Sequence, residues 1–318
     1  MLRAGLVGLG VMGRHHMRLL NQIDDVQFVG LHDPALVGQE TVDGHRVFAT
    51  FEELISQDLD YCVVSAPTIF HLELGLQLAA AGVHALIEKP VAPTHVEATQ
   101  LVAAFKTAGL IGGVGHIERF NPALIAMRQK IEDGLLGEIY QISTRRQGPF
   151  PSRIADVGVV KDLATHDIDL TAWVAQSPYM TVSARTINKS GRPHEDMVVA
   201  VGTLENGVIV NHIVNWLSPF KERNVTVIGD KGALVADTLT ADLTFFANGH
   251  PNGSWDNISA FRGVSEGDVI RYALKKIEPL LTEHLAFRDA VINKNDLGIV
   301  TLADGLAAVF IADQMIVA

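Results

Sequence analysis

Between Val160 and Leu170 the chain reads VKDLATHDIDL, three aspartates and a histidine in a run otherwise patterned as a buried helix. At 3.6 residues per turn, Asp162, His166, Asp169 and Trp173 fall on one stripe flanked by Leu163, Leu170 and Val174, which is not the pattern of a solvent face. The i, i+4 spacing sets Asp162 one turn before His166, where the two side chains can share one substrate hydroxyl. Histidine, with an unperturbed pKa near neutrality, suits removal of a hydroxyl proton. The alternative is a capped helix start with a satisfied core histidine. A metal site built from Asp162, His166 and the run His194-Glu195-Asp196 is a third reading, but no known metal-motif spacing is present, so no metal is expected.

A second set of residues could hold a dinucleotide. GLGVMG, Gly8 to Gly13, follows an expected strand, opens an expected helix, and precedes Asp33 at the end of the next strand. Its glycines, Gly8, Gly10 and Gly13, allow a tight turn and close backbone approach. Val11 and Met12 lie at the helix start, where free N–H groups and a partial positive charge favour a pyrophosphate. Asp33 is placed to accept from ribose hydroxyls and to repel a 2'-phosphate, and Pro34 to Val37 offers no arginine, so NAD is expected over NADP.

Two further segments end strands on the same side of such a sheet. SAPTIFH puts Ala66, Pro67, Thr68 and His71 there, and Glu88-Lys89-Pro90 follows the next strand. Ligands of open parallel sheets bind outside the carboxyl ends of strands, so these residues are cofactor-side candidates. A lysine in that crevice can stabilise negative charge on a reacting oxygen; a solvated strand-end lysine is the alternative.

The elements that must position these groups divide the chain in two. Up to about residue 120, strands at Ala4, Val26, Tyr61, His84 and Ile111 alternate with helices at Met12 to Gln22, Phe51 to Ser56, Phe70 to Ala81 and Thr94 to Ala108. That alternation predicts an α/β Rossmann domain over 1–120, a doubly wound parallel sheet. Over 121–318, strands follow one another with hairpin chemistry at Glu205-Asn206-Gly207 and Asp230-Lys231-Gly232, beside helices at Asn121 to Asp133 and Asp162 to Ala175. This predicts an α+β domain with a mostly antiparallel open sheet, for substrate binding and oligomerisation, closed by helices from Glu278 to Ala318.

The 318 residues suffice for two cores, and 36 acidic against 25 basic residues give a charge of -11, unlike the basic footprint of a nucleic-acid binder. The single cysteine, Cys62, reads as a buried strand residue and fits a reducing, cytoplasmic setting. No targeting or membrane-spanning pattern is visible.

GLVGLGVMG from Gly5, the APTxxH segment from Ala66, EKP from Glu88 and DLATH from Asp162 together resemble the Gfo/Idh/MocA oxidoreductase family. The resemblance covers nearly the whole chain. It implies Lys89, Asp162 and His166 as the catalytic group; the chemistry of alcohol oxidation then gives His166 as general acid/base, Asp162 as its orienter or a substrate hydroxyl acceptor, and Lys89 as electrostatic partner. It also implies a cis Lys89-Pro90 bond. Many members carry consecutive glycines before the DxxxH motif, where this chain has DVGVVK, Asp156 to Lys161.

RRQGPFPSR, Arg145 to Arg153, reads as a loop of three arginines whose guanidinium forks match phosphate oxygens; pairing with surface carboxylates is the alternative. With GHIERFNP from Gly115, DVGVVxDLATHDIDL from Asp156 and NWLSPFK from Asn215, the run is most similar to the UDP-N-acetylglucosamine 3-dehydrogenase-like branch of the family. That similarity implies oxidation of a nucleotide-sugar 3-hydroxyl, with Arg119, Asn121, Arg145, Arg146 and Arg153 binding substrate beside Asp162 and His166. A dehydrogenase of a free sugar or polyol, and a non-catalytic NAD-binding regulator, are the other readings. The family resemblance further implies a homodimer or homotetramer joined through the second domain's sheet.

Overall fold

A computed structural model describes residues 1–151, 157–249 and 266–317, so Arg153 lies outside the described residues. Among the described residues no helix is long and apolar enough to cross a membrane. The chain forms two compact units.

The first unit combines Met1–Ile117 with Glu278–Asp313. Its strands are β1 (Leu2–Val7), β2 (Val26–His32), β5 (Tyr61–Val64), β6 (His84–Ile87) and β7 (Gly112–Val114), with a small hairpin β3 (Thr41–Val42) and β4 (His45–Arg46). The five form one parallel sheet in the order β2-β1-β5-β6-β7, and Gly5 of β1 registers with Cys62 of β5. The four residues of β5 are all buried, the near-continuous apolar run that a parallel strand covered on both faces requires. Helices α1 (Val11–Leu20), α2 (Phe51–Ile55), α3 (His71–Ala80) and α4 (His95–Ala108) supply the connections. Thr94 caps α4 by accepting the Glu97 N–H, and Gly109 ends it in the left-handed conformation.

The closing segment, which the sequence reading assigns to the second domain over 121–318, groups instead with the first unit from Glu278 to Asp313. Helix α7 of the closing segment (Pro279–Asn293) returns to the first unit, where Phe287, Ala290 and Val291 join Tyr61, Val63 and Leu86 in one core. The rings of Tyr61 and Phe287 meet edge-on at 5.5 Å. A side chain at Gly113 would come within 2.9 Å of the Phe287 ring, so the β7 glycine makes room for the helix. Helix α8 (Leu302–Val317) follows α7.

The second unit is built from Glu118–Ile277 and the last residues of the chain from Gln314. Its strands are β8 (Ile139–Pro149), β9 (Tyr179–Ile187), β10 (Met197–Leu204), β11 (Ile209–Asn215), β12 (Leu217–Gly229), β13 (Gly232–Asp237), β14 (Asp242–Asn248) and β15 (Glu266–Tyr272). They run in the order β15-β14-β13-β12-β8-β11-β10-β9, antiparallel except where β11 pairs with β8. Helices α5 (Pro122–Glu132) and α6 (Thr165–Ala175) cover one face: Leu124, Met127, Leu170 and Val174 pack with Val210, Val225, Val227 and Leu234. On the other face Val199, Val201, Ile209, Phe246 and Val269 are 42 to 62% exposed.

Two local differences from the sequence reading bear on the site. Strand β8 runs on to Pro149, so Arg145 and Arg146 lie in a strand rather than a loop. And α6 is entered through a π-helical turn, Val160–Ala164, that includes Asp162; the Thr165 N–H reaches back to Val160 O, and the Thr165 hydroxyl donates to Lys161 O at 2.9 Å. Such turns widen a helix by one residue and recur at functional positions.

Candidate active site

Each unit carries part of the expected set: Lys89 stands in the first, Asp162 and His166 in the second.

In the first unit the sheet order reverses beside β1, which places the glycine loop and the segment after β5 at the switch point where dinucleotides bind. Gly8 has φ +88°, and a side chain on it would strike Ala66 N at 2.6 Å; one on Gly13 would meet Gly8 O at 2.1 Å. These two glycines serve the tight turn. Gly10 differs, because a side chain there would face nothing within 4 Å, leaving open space in front of the start of α1. That helix has no side-chain cap and no acidic residue in its first turn, and Val11 is exposed, so its N–H groups and partial positive charge remain available to a pyrophosphate. Met12, next along, is partly buried.

The Asp33 carboxylate accepts the Leu9 N–H at 2.6 Å and the Ala35 N–H at 2.8 Å, tying it to the glycine loop. Each oxygen keeps a second lone pair for a ribose hydroxyl. The residues present therefore fit NAD. We expect Asp33→Ala to raise the NADH dissociation constant by about 10-fold and to erase most of the preference over NADPH, since charge-assisted hydrogen bonds are lost and a repelling charge is removed. Fluorescence titration with both cofactors measures this, and equal binding before and after the change would discard the ribose role.

The Ser65 hydroxyl donates to Gly8 O at 2.7 Å, joining the segment after β5 to the glycine loop. In that segment Ala66 is partly buried, Pro67 exposed and Thr68 buried. His71 is 1% exposed, with Nδ1 2.9 Å from Pro90 O and Nε2 2.9 Å from Ala66 O. A neutral imidazole donates to one of these at a time, and burial, the largest influence, pushes its pKa down toward that form. The Lys89-Pro90 bond is cis. The Glu88 side chain turns inward: Oε2 accepts the Lys89 N–H at 3.1 Å, and Oε1 lies 3.0 Å from His16 Nε2. Burial opposes ionisation of Glu88, but the His16 hydrogen bond, the His16 and Lys89 charges and the Lys89 N–H outweigh it and hold the carboxyl below its usual range.

In the second unit Asp162 is 5% and His166 9% exposed, on the π turn and the first turn of α6. The aspartates that follow them are engaged by arginines. Arg146, 2% exposed, donates through Nε to Asp167 at 2.9 Å and through Nη1 to Glu118 at 2.7 Å. Arg119 grips Asp169 with two bonds of 2.8 and 2.6 Å. Asn121 caps α5 through the Ala123 N–H at 3.1 Å and donates to Thr238 O at 3.0 Å. Arg119, Asn121 and Arg146, expected on the substrate, thus each make hydrogen bonds within their own unit.

Arg145 differs for a simpler reason. Side chains alternate along a strand, so Arg145 and Arg146 point to opposite faces of the sheet, and Arg145, about half exposed with Glu222 at 3.5 Å, lies on the face away from α6. The arginines of the RRQGPFPSR run therefore do not share one side.

A residue absent from the expected site also lies on the α6 face. Arg223 of β12 registers with Arg146 of β8 and so shares the α6 face. Its side chain is 37% exposed and lies 3.8 Å from Glu118, beyond hydrogen-bond reach. Burial, then the Arg146 charge, press its pKa below the ordinary value, while Glu118, Asp167 and Asp162 pull the other way. Its signal in the sequence was the alternation of RNVTVIG, which puts Arg223, Val225 and Val227 on one face. Two of the three carboxylates named for a metal accept main-chain N–H groups: Glu195 that of Val160 at 3.0 Å, and Asp196 those of Lys189 and Ser190.

Residues 2–116 match the family described as "Oxidoreductase family, NAD-binding Rossmann fold", so the first unit is the NAD-binding domain of an oxidoreductase. Residues 124–235 match the "GFO/IDH/MocA C-terminal domain", and with both parts in place the chain belongs to the Gfo/Idh/MocA oxidoreductase family. It is 30% identical over 213 residues to UDP-N-acetylglucosamine 3-dehydrogenase of Acidithiobacillus ferrooxidans, covering 66% of each chain. It is 28% identical over 221 residues to inositol 2-dehydrogenase 2 of Saccharopolyspora erythraea, covering 66% of this chain and 65% of that one. The match thus spans about two thirds of the length of these relatives. In fold it is similar to a solved structure of the Acidithiobacillus ferrooxidans enzyme, with TM-score 0.85 and 24% identity over 100% of this chain and 97% of that one.

Proposed function

We propose that the chain is a cytoplasmic NAD-dependent dehydrogenase that takes hydride from a secondary hydroxyl of a sugar, and that the sugar is carried by UDP, as at the 3-hydroxyl of UDP-N-acetylglucosamine. The observation that carries the reading is the buried Asp162 and His166 pair at the head of α6, in a chain whose other unit has the glycine loop and Asp33 of an NAD-binding domain. His166 takes the hydroxyl proton as the carbon is oxidised to a ketone, Asp162 orients the hydroxyl or the imidazole, and Lys89 stabilises charge developing on the oxygen. NAD, when bound, supplies the hydride acceptor. Beside Arg153, which lies outside the described residues, Arg223 is a cation we assign to a phosphoryl oxygen of the substrate, because Arg119 and Arg146 pair with carboxylates of their own unit and Arg145 faces the other way. The exposed apolar face of the second unit's sheet supports a homodimer or homotetramer joined there.

The same engagement of Arg119 and Arg146, with the similarity to an inositol dehydrogenase, favours as a second reading a free sugar or polyol as substrate. Reduced-nicotinamide absorbance after mixing protein and NAD with UDP-N-acetylglucosamine, UDP-glucose, myo-inositol or glucose separates the two. The first reading expects turnover with a UDP-sugar, lowered about 10²-fold by Lys89→Met, and with KM raised about 10-fold by Arg223→Leu. Turnover on a free polyol alone discards the UDP-sugar. Silence with every substrate, after any tightly held NAD has been removed and resupplied, rejects both.

A further inference from the structure

The first unit buries a set of ionisable side chains that the proposed chemistry does not use. His16 on α1 is 0% exposed, His284 on α7 is 1% and Glu283 beside it is 2%. Buried polar groups persist where they are hydrogen-bonded, and here the bonds form a chain that ends on the Glu88-Lys89-Pro90 turn. His284 Nε2 lies 2.8 Å from His16 Nδ1, His16 Nε2 lies 3.0 Å from Glu88 Oε1, and Glu88 Oε2 accepts the Lys89 N–H at 3.1 Å.

The chemistry of the last acceptor sets a proton position on its neighbour. An ionised Glu88 only accepts, so His16 must carry a proton on Nε2. His284 then meets His16 Nδ1 through its Nε2, donating to a bare Nδ1 or accepting from a protonated one, and the contact holds in both cases. Burial, followed by the charges of His16 and Arg18, drives the His284 pKa well down and keeps that ring neutral. Burial and the nearby Glu88 charge drive Glu283 well up, so Glu283 holds its proton and leaves Glu88 as the anion of the cluster. On the far side of the turn, the His71 ring lies between Pro90 O and Ala66 O. The residues before and after Lys89 are therefore each held by a buried imidazole.

We propose that His16 and His284, with His71 opposite, are positioning residues for Lys89: the chain from α7 through α1 fixes the Glu88 carboxylate on the Lys89 N–H and so sets the lysine against the helix that begins with the glycine loop. The proposal rests on the reading of Lys89 as the electrostatic partner of the reaction. It explains why an α1 helix whose start faces a dinucleotide carries a histidine in its buried stripe, where an apolar residue would pack without needing partners.

The test compares His284→Leu and His284→Gln with Lys89→Met in steady-state kinetics, NADH titration and thermal melts. Glutamine offers an N–H or a carbonyl oxygen near the position of Nε2, whereas leucine leaves His16 Nδ1 without its partner. We expect kcat to fall about 10-fold in His284→Leu, with NADH affinity and substrate KM within twofold of the parent, and His284→Gln to recover most of the loss. A kcat in His284→Leu equal to the parent's, beside a lowered Lys89→Met, overturns the positioning role and leaves the reading of Lys89 intact. Full turnover in Lys89→Met removes that reading, and the proposal with it. A purely structural role predicts lower melting temperature with unchanged kcat, and that pattern counts against the proposal. Should the leucine variant fail to fold, the 15N shifts of His16 in the parent protein decide: the Nε2–H tautomer supports the chain and the Nδ1–H tautomer overturns it.

Discussion

His166→Ala is expected to lower kcat/KM by roughly 10² to 10⁴ while leaving NADH affinity nearly unchanged. The asymmetry follows from where the residue sits. His166 belongs to the second unit, and the groups that fit NAD, the glycine loop and Asp33, belong to the first. Removing the imidazole takes away the acceptor of the hydroxyl proton, an interaction that matters as the O–H bond breaks, so kcat should carry most of the loss. His166→Asn is the useful companion, because it retains a polar group of similar size without a basic nitrogen. Activity near the parent's in either variant, measured across pH, would remove His166 from the acid/base role and return it to the reading of a satisfied core histidine. A loss confined to KM would make it a substrate ligand only.

The parts of the site legible in the sequence were those set by local contacts. GLGVMG could be read because its glycines answer to steric facts within a few residues of chain: Gly13 needs no side chain because Gly8 O is there, and Gly8 needs a positive φ. The alternation of strands and helices carried the parallel sheet for the same reason. What misled was punctuation. With Gly148 and Pro149 in it, RRQGPFPSR reads as a loop, yet β8 carries both, with Pro149 opposite Leu217 across a register shift in the pairing. Once the strand is known to continue, the assignment of three arginines to one loop fails, because alternation separates Arg145 from Arg146. Asp43-Gly44, a hairpin signal with both residues at positive φ, was there to be read and joins β3 to β4. Strand β15, EGDVIRY, was hidden by its charges and glycine, which suit an edge strand. The docking of α7 had no local signal at all. An apolar helix can bury its stripe against any apolar surface, and what makes this one specific is non-local: the gap at Gly113 beside Phe287 and the contact of His284 with His16.

The network under α6 yields the largest expected effect on stability. Arg146→Met should destabilise the protein by about 3 to 5 kcal/mol, because Asp167 and Glu118, 1% and 6% exposed, would keep their burial and lose their guanidinium. For a chain of this size that corresponds to a fall in Tm of about 10 °C. Lysine at the position restores the charge but not the fork that reaches both carboxylates, so Arg146→Lys should recover only part. The pH dependence has a definite sign. Burial already pushes the Asp167 carboxyl up, with Arg146 opposing. Without Arg146 the folded-state pKa of Asp167 rises further above its unfolded value, so stability is retained below the unfolded value and lost as pH rises through the folded one. The Tm gap between Arg146→Met and the parent should therefore be wider at pH 8 than at pH 5. A gap independent of pH would mean that Asp167 is neutral in the parent as well, and that Arg146 acts through packing alone. Because Asp167 directly follows His166, a variant that folds but loses this tie should also lose turnover, which would mark the arginine of the RRQGPFPSR run as a support of the catalytic helix and not a reader of phosphate.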